Sequence, residues 1–431
     1  MRCKLRNLDE LRGNPVAVLG AGVSGRGVGA LLDRLEWEYV TYDEQSRAFG
    51  ETEARASSLV VYSPGFHPGH RWLGLAREAG IPLFGEMDFG SCFLANEMVA
   101  ITGTNGKTTL TTLLGKIWKE AGKNAVTAGN IGLPLCELIA RGLDPETLVF
   151  LEVSSFQAQG LENLRPSSVL WTNFEEDHLD HHGSMNEYFT SKSQLLKNAA
   201  GNESWIGRSV SEMARVLEYE LPENANVTDR DEVDSSFLPP DHFMNSYPQL
   251  ENLSIAWMFC NSRGITKSEF ERAILNYLPE PHRLEKIATV GQATFWNDSK
   301  ATNASATVAA CRNFSGDLFW IGGGRAKGGD PGRLANLVKP FVQRAYLIGE
   351  MGETLRGNLS KEGIFATFCN TLKEAVIRAY EQVTERTDVL FSPGFASFDS
   401  YSNYSERGKS FVEAVFDLKK AVSGITQESI N

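Results

Sequence analysis

Short apolar runs alternate with amphipathic stretches along most of this chain. Residues 16–19, 39–42 and 59–62 are runs of Val, Leu and Tyr that predict strands, with an Ala- and Leu-rich helix to about residue 35 between the first two. After one more helix the alternation resumes with strands at 99–101, 125–127, 148–153 and 169–172. A helix to about residue 122 follows the first of these, and an amphipathic helix spans about 185–199. Residues 201–246 are polar and proline-containing, and they suggest no chemical motif. Two helices follow, at about 247–263 and 267–277; Leu250, Leu253, Ala256, Trp257 and Cys260 recur at helical spacing in the first. Pro279-Glu280-Pro281 reads as a linker. Beyond it, a strand pair at 285–289 and 294–297, joined through Gly291, precedes strands at 318–321, 345–348, 364–368 and 389–391 with helices between.

This alternation predicts an α/β fold, and the length of 431 residues predicts two or three domains. The divisions expected are 1–95, 96–279 and 280–431. A formal net charge of −12 argues against a general binder of nucleic acid or anionic membrane. The six cysteines are scattered without a CxxC, so reduced thiols are expected rather than disulfides or zinc. The first residues show no apolar signal segment, and no apolar run approaches the roughly 20 residues of a membrane helix. A cytoplasmic protein is the expectation.

The strongest chemical signal follows the strand at 99–101. Gly103-Thr104-Asn105-Gly106-Lys107-Thr108-Thr109 is a glycine turn running into a helix. Its backbone N–H groups can cradle phosphate, Lys107 can reach the outer phosphates, and the Thr108 hydroxyl can ligate Mg²⁺. A strict P-loop pattern fails only because Ile101 stands where its first glycine belongs. ATP binding is therefore expected of the central domain. The first domain carries Gly20-Ala21-Gly22-Val23-Ser24-Gly25 between strand and helix, with Asp43 about 20 residues on. Alone, this reads as a nicotinamide dinucleotide site. It equally suits another diphosphate on the helix N-terminus near Val23 and Ser24, or glycines used only for close packing. The loop Ser63-Pro64-Gly65 follows the third strand.

Other candidates sit near strand ends. Asn130 lies in the turn Gly129-Asn130-Ile131-Gly132, and Glu152 ends an apolar strand, as a Mg²⁺ ligand would. The run from Asn173 to His182 is rich in acids and imidazoles but lacks zinc-protease spacing. It can supply a second Mg²⁺ ligand, or be a solvated loop. Lys192 can point back at the same site or be a surface lysine. In the last domain, Asn297-Asp298-Ser299-Lys300-Ala301-Thr302-Asn303 can meet a ribose through Asp298 and a phosphate through Lys300. Two further loops, 322–330 with Lys327 and 392–399 with Ser397, suit capture of a carboxylate.

Taken in order, these motifs resemble the Mur ligases, the ATP-dependent amide-forming enzymes of peptidoglycan synthesis. The matching stretches are GTNGKTT (103–109), GNIG (129–132), LEVSSFQ (151–157), EDHLD (176–180), PHR (281–283), NDSKATN (297–303), GGRAKGGD (323–330) and SPGFASFD (392–399). The last two and LEVSSFQ point to the members that add D-glutamate. The resemblance implies a Rossmann-like first domain for UDP rather than NAD, a central P-loop mononucleotide-binding domain for ATP, and a Rossmann-like doubly wound last domain for the amino acid. It implies substrates UDP-N-acetylmuramoyl-L-alanine and D-glutamate, joined through an acyl phosphate. Gly103 to Thr109, Asn252, Arg283 and Asp298 would hold ATP. Thr108, Glu152, His178 and a carbamylated Lys192 would hold two Mg²⁺ ions. Lys107, His178, Lys192 and Lys300 would be catalytic. Val23, Ser24, Ser63, Gly65, Asn130 and His178 would bind the UDP-substrate, and Thr302, Lys327, Ser397 and Tyr404 the D-glutamate. A monomer is expected, without a nucleic-acid partner. A related amide ligase with another amino acid or a folate substrate stays open, as does a non-catalytic nucleotide switch. The chain departs from the family at Pro248-Gln249 before Asn252 and at Gln45 after Asp43, where Arg47 is the candidate substitute; Ala326 replaces a frequent acid.

Overall fold

Runs such as Phe319-Trp320-Ile321 and Val389-Leu390-Phe391 are apolar at every position because both faces of their strands are covered, as in parallel sheets flanked by helices. The computed structural model describes residues 14–199, 203–240, 242–326 and 330–428. Among these residues there are three sheets. The first orders β2 (Tyr39–Tyr42), β1 (Val16–Leu19), β3 (Val60–Tyr62) and β4 (Leu83–Gly85), all parallel. Val16, Val18 and Val61 face one core and Ala17, Leu19 and Val60 the other, the two-residue period of a strand.

The second sheet comprises β5 (Met98–Thr102), β6 (Ala125–Gly129), β7 (Leu148–Glu152), β8 (Ser168–Trp171), β9 (Ser204–Gly207) and β10 (Ala225–Thr228). Their order is β10-β9-β8-β5-β7-β6, so β5 lies where the chain first turns one way and then the other. The third sheet comprises β11 (Glu285–Val290), β12 (Ala293–Asn297), β13 (Asp317–Gly323), β14 (Arg344–Ile348), β15 (Phe365–Phe368) and β16 (Thr387–Phe391), ordered β11-β12-β16-β13-β14-β15. Only β11 pairs antiparallel there. In open α/β sheets, ligands bind beyond the carboxyl ends of strands at such reversals. The two glycine turns of the sequence, after β1 and β5, both fall at these points.

The α/β class read from the pattern is the one observed. Three strands went unread: β4, β9 and β10. The stretch 201–246, which suggested nothing, also carries the helix Arg208–Val216. Contacts divide the chain into two compact units. The first holds both early sheets (1–174, 184–237 and 251–277); the second holds 175–183, 238–250 and 278–431. Cys136, Cys260, Cys311 and Cys369 are free and buried, but Cys92 is disulfide-bonded, against the expectation of reduced thiols throughout.

Within the first unit, two buried acids on the helix Glu86–Ser91 join the first sheet to the second. Glu86 Oε1 accepts from Cys136 N at 2.7 Å, at the start of the helix Leu135–Arg141. Asp88 Oδ1 accepts from the backbone N–H groups of Glu162, Asn163 and Leu164, and its Oδ2 from Asn163 Nδ2. Burial pushes Glu86 up to about 7, the bonds from Cys136 and Leu135 only partly opposing it. The fold thus holds this proton where the unfolded chain has lost it. Stability falls as pH rises from the ordinary 4.5 to about 7, and is level above. Glu86→Gln keeps an acceptor and removes the charge. Thermal unfolding across that range is expected to show a smaller pH slope for the variant than for the wild type; equal slopes would contradict the assignment.

Candidate functional site

The turn after β5 is glycine by necessity. Gly103 has φ +149°, and a Cβ there would stand 1.8 Å from Thr172 Oγ1. Gly106 has φ +83°, and its Cβ would meet the Asn252 amide at 2.5 Å. The loop is braced from the end of β8. Thr104 N donates to Asn173 O, Asn105 N to Asn173 Oδ1, and Thr172 Oγ1 to Asn105 O at 2.6 Å. Lys107 opens the helix Lys107–Glu120 and folds back, its Nζ donating to Gly103 O and Thr104 O, each at 2.9 Å. Thr108 and Thr109 are buried in the first turn behind it. The result is a preformed, braced cradle that opens on a helix N-terminus, whose first N–H groups give it the geometry of an anion site. Asn252 stands against this loop on the helix Gln249–Ser262.

Glu152 ends β7, next to β5, and is 1% exposed. Its Oε1 accepts from Asn130 Nδ2 at 2.8 Å, while Oε2 is buried without a hydrogen-bond partner. A buried carboxylate oxygen left unpaired is costly, and a cation would satisfy it. Asn130 is held by its own N–H to Glu152 O, over a Gly129 (φ +101°) whose Cβ would strike that same oxygen. Lys192, also 1% exposed, sends Nζ to Gly103 O at 2.8 Å and Thr102 Oγ1 at 3.4 Å. So Thr108, Glu152, Asn130 and Lys192 gather around the β5 turn. His178 belongs to the second unit; it adopts a left-handed φ of 54° and lies 3.5 Å from Asp177. Asp177 in turn accepts from Asn303 Nδ2 at 2.7 Å.

At the first sheet, Gly25 is a packing glycine: a Cβ would come within 1.8 Å of Gly20 O. Ser63 Oγ is buried without a partner beside Gly20. Val23 is exposed and Ser24 half-exposed at the helix start. Gly65 has open space around its Cα. Asp43, the acid that would hold a dinucleotide ribose, instead accepts from Ala21 N at 2.9 Å and Gln45 N at 3.1 Å. Those bonds hold its carboxyl below the usual range. Arg47 rests over the Tyr42 ring.

In the second unit, β12, β16 and β13 are neighbours, and their three following loops carry the remaining motifs. Asp298 accepts from Leu284 N and from Ser392 Oγ, and burial pushes it up to about 7. Arg283 pairs loosely with Glu280 at 4.0 Å. Lys300 lies over the Tyr404 ring, 3.9 Å from its centroid. Ser397 is buried and Thr302 half-buried. Lys327 lies outside the described residues. The reading of the residues missed Arg407, which is buried and bonded to two of these loops. Its signal in sequence, an arginine in a charged helix, was that of a surface residue.

The sequence profile of the Mur ligase middle domain matches residues 101–229. The chain is 30% identical to a UDP-N-acetylmuramoylalanine--D-glutamate ligase of Koribacter versatilis, covering 94% of this chain and 98% of that protein. It is 33% identical to the enzyme of the same name from Aquifex aeolicus, over 92% and 97% of the two chains. Among solved structures, the MurF ligase of Thermotoga maritima in complex with ADP superposes with a TM-score of 0.58 at 14% identity, over 96% of each chain. That likeness is one of fold.

Proposed function

The chain belongs to the Mur ligase family, and from that premise we propose that it joins D-glutamate to UDP-N-acetylmuramoyl-L-alanine at the expense of ATP. The observation that carries the nucleotide half is the preformed cradle at 103–109, with Lys107 parked on its carbonyls. The acceptor half rests on relatives of that name matched over nearly their whole length.

ATP phosphates lie against the turn from Gly103 to Thr109, at the N–H groups that open the helix, and Lys107 turns from its carbonyls to the outer phosphates. Thr108 and Glu152 hold magnesium, for which the unpaired Glu152 Oε2 is the fitting donor. The metal, when bound, neutralises the repulsion between a triphosphate and a carboxylate. Lys192 fits as a carbamate: the substituted nitrogen keeps one N–H for Gly103 O and gains two oxygens for a cation. His178 is the remaining proposed ligand. Asn130, Ser63, Val23, Ser24 and Gly65 serve the UDP-substrate. The orphaned Ser63 hydroxyl and the closed Asp43 favour a ligand other than a nicotinamide dinucleotide. In the second unit, Arg283 and Asp298 hold ATP and Lys300 meets the transferring phosphoryl group. Ser397, Thr302, Tyr404 and Lys327 receive D-glutamate. The L-alanine carboxylate attacks the γ-phosphorus, ADP leaves, the D-glutamate amine adds to the acyl carbon, and phosphate departs. The work is positioning and charge stabilisation, so no side-chain nucleophile is required.

The test is phosphate release from Mg-ATP with each substrate present or omitted, L-glutamate being the control. Release that needs both substrates and rejects L-glutamate is expected. Release independent of the acceptor would overturn the assignment.

A further inference from the structure

We infer that Arg407 is a positioning residue that fixes the amino-acid pocket by tying the loop after β12 to the loop after β16; this rests on the function proposed above. Arg407 lies on the helix Tyr404–Glu428 and is 1% exposed. Its Nη2 donates to Ser299 O at 2.9 Å and its Nε to Ser299 Oγ at 3.2 Å. Its Nη1 donates to Phe395 O at 3.0 Å. One rigid guanidinium therefore spans the loop of Asp298 and Lys300 and the loop of Ser397. The third loop meets it too: a Cβ on Gly324 would stand 3.2 Å from Nη1 and 2.3 Å from Ala396 O. Arg325 and Ala396 exchange both backbone hydrogen bonds there.

The rest of the same helix turn reinforces the link. Ser299 Oγ donates to Tyr404 O at 2.8 Å, and Asn297 Nδ2 to Gly408 O at 3.2 Å. Among the described residues Arg407 makes no ion pair. Its partners are carbonyl and hydroxyl oxygens of loops, and burial draws its pKa down to about 10. Desolvation outweighs the Coulombic support that Asp399 gives this buried cation, so charge pairing does not account for its placement. The fork geometry is what a lysine cannot reproduce, because only a planar, multi-donor group reaches both loops at once.

Arg407→Met leaves Ser299 O and Phe395 O without these donors and lets the loops drift apart. KM for D-glutamate is expected to rise on the order of 10- to 100-fold, well beyond any change in KM for ATP. Arg407→Lys, which reaches one loop at a time, is expected to recover part of the loss. Both are measured by phosphate release beside the wild type, with circular dichroism and thermal unfolding as the record of folding. A lower kcat with unchanged KM for D-glutamate would mean a merely structural residue and overturn the inference. If the Met variant does not fold, the Lys variant decides: an unchanged KM overturns, a raised one supports. A wild type that ignores D-glutamate would overturn the functional reading, and the pocket with it. A wild type that requires it, beside an indifferent Arg407→Met, would overturn the role of Arg407 alone.

Discussion

Lys107→Ala is expected to lower turnover on the order of 10³-fold or more while leaving the protein folded. The side chain donates to Gly103 O and Thr104 O, and Lys107 is the first residue of its helix. Alanine is a good helix former, and the loop keeps its braces from Thr172 and Asn173. The hydrogen bonds to Gly103 O and Thr104 O that the fold loses are worth about 1 kcal/mol net each. The reaction loses a fixed positive charge where charge develops. Steady-state turnover beside circular dichroism separates the two. Activity retained within a factor of about ten would mean that this turn does not hold the reacting phosphates.

Glu152→Gln is the second large effect, and its two consequences have opposite signs. Turnover is expected to fall on the order of 10²- to 10³-fold, with more Mg²⁺ needed for half-maximal rate. Stability is expected to hold or rise. The wild type buries a carboxylate whose Oε2 is unpaired, and an uncharged amide costs less to bury. Glutamine also leaves an oxygen for Asn130 Nδ2. A Mg²⁺ titration and a thermal melt read the two separately. A variant that loses both activity and stability would indicate a structural acid.

Much of this site was legible because its chemistry forces local sequence. A backbone that must approach phosphate uses glycine at fixed places, and Gly103 and Gly106 show why: no side chain fits against Thr172 or Asn252. Buried strands such as β5, β7 and β16 announce themselves by unbroken apolar runs. What escaped lacks a local signature. β10 reads as polar because it is an edge strand with Asn226 and Val227 exposed; β9 has four residues and β4 three. Glu86, Asp88 and Arg407 look like surface charges in sequence. Each is buried because its partners arrive from far along the chain, at Cys136, Glu162 to Leu164, Ser299 and Phe395. The pairing of Cys92 was equally invisible to spacing.

Glu86 and Asp88 bear on how chains of this kind can exchange parts. Both acids sit on the short helix that closes the first sheet, yet every hydrogen-bond donor described above for them belongs to the second. A recombination point between the two sheets would separate acids from donors. The excised first module would carry two carboxylates stripped of their donors, and the remainder would expose bare N–H groups at Cys136 and at Glu162 to Leu164. The grafting unit is therefore the pair of sheets together. A chimera that imports a foreign first sheet must bring an acid at each of these two positions, or supply the recipient with a backbone that no longer asks for them.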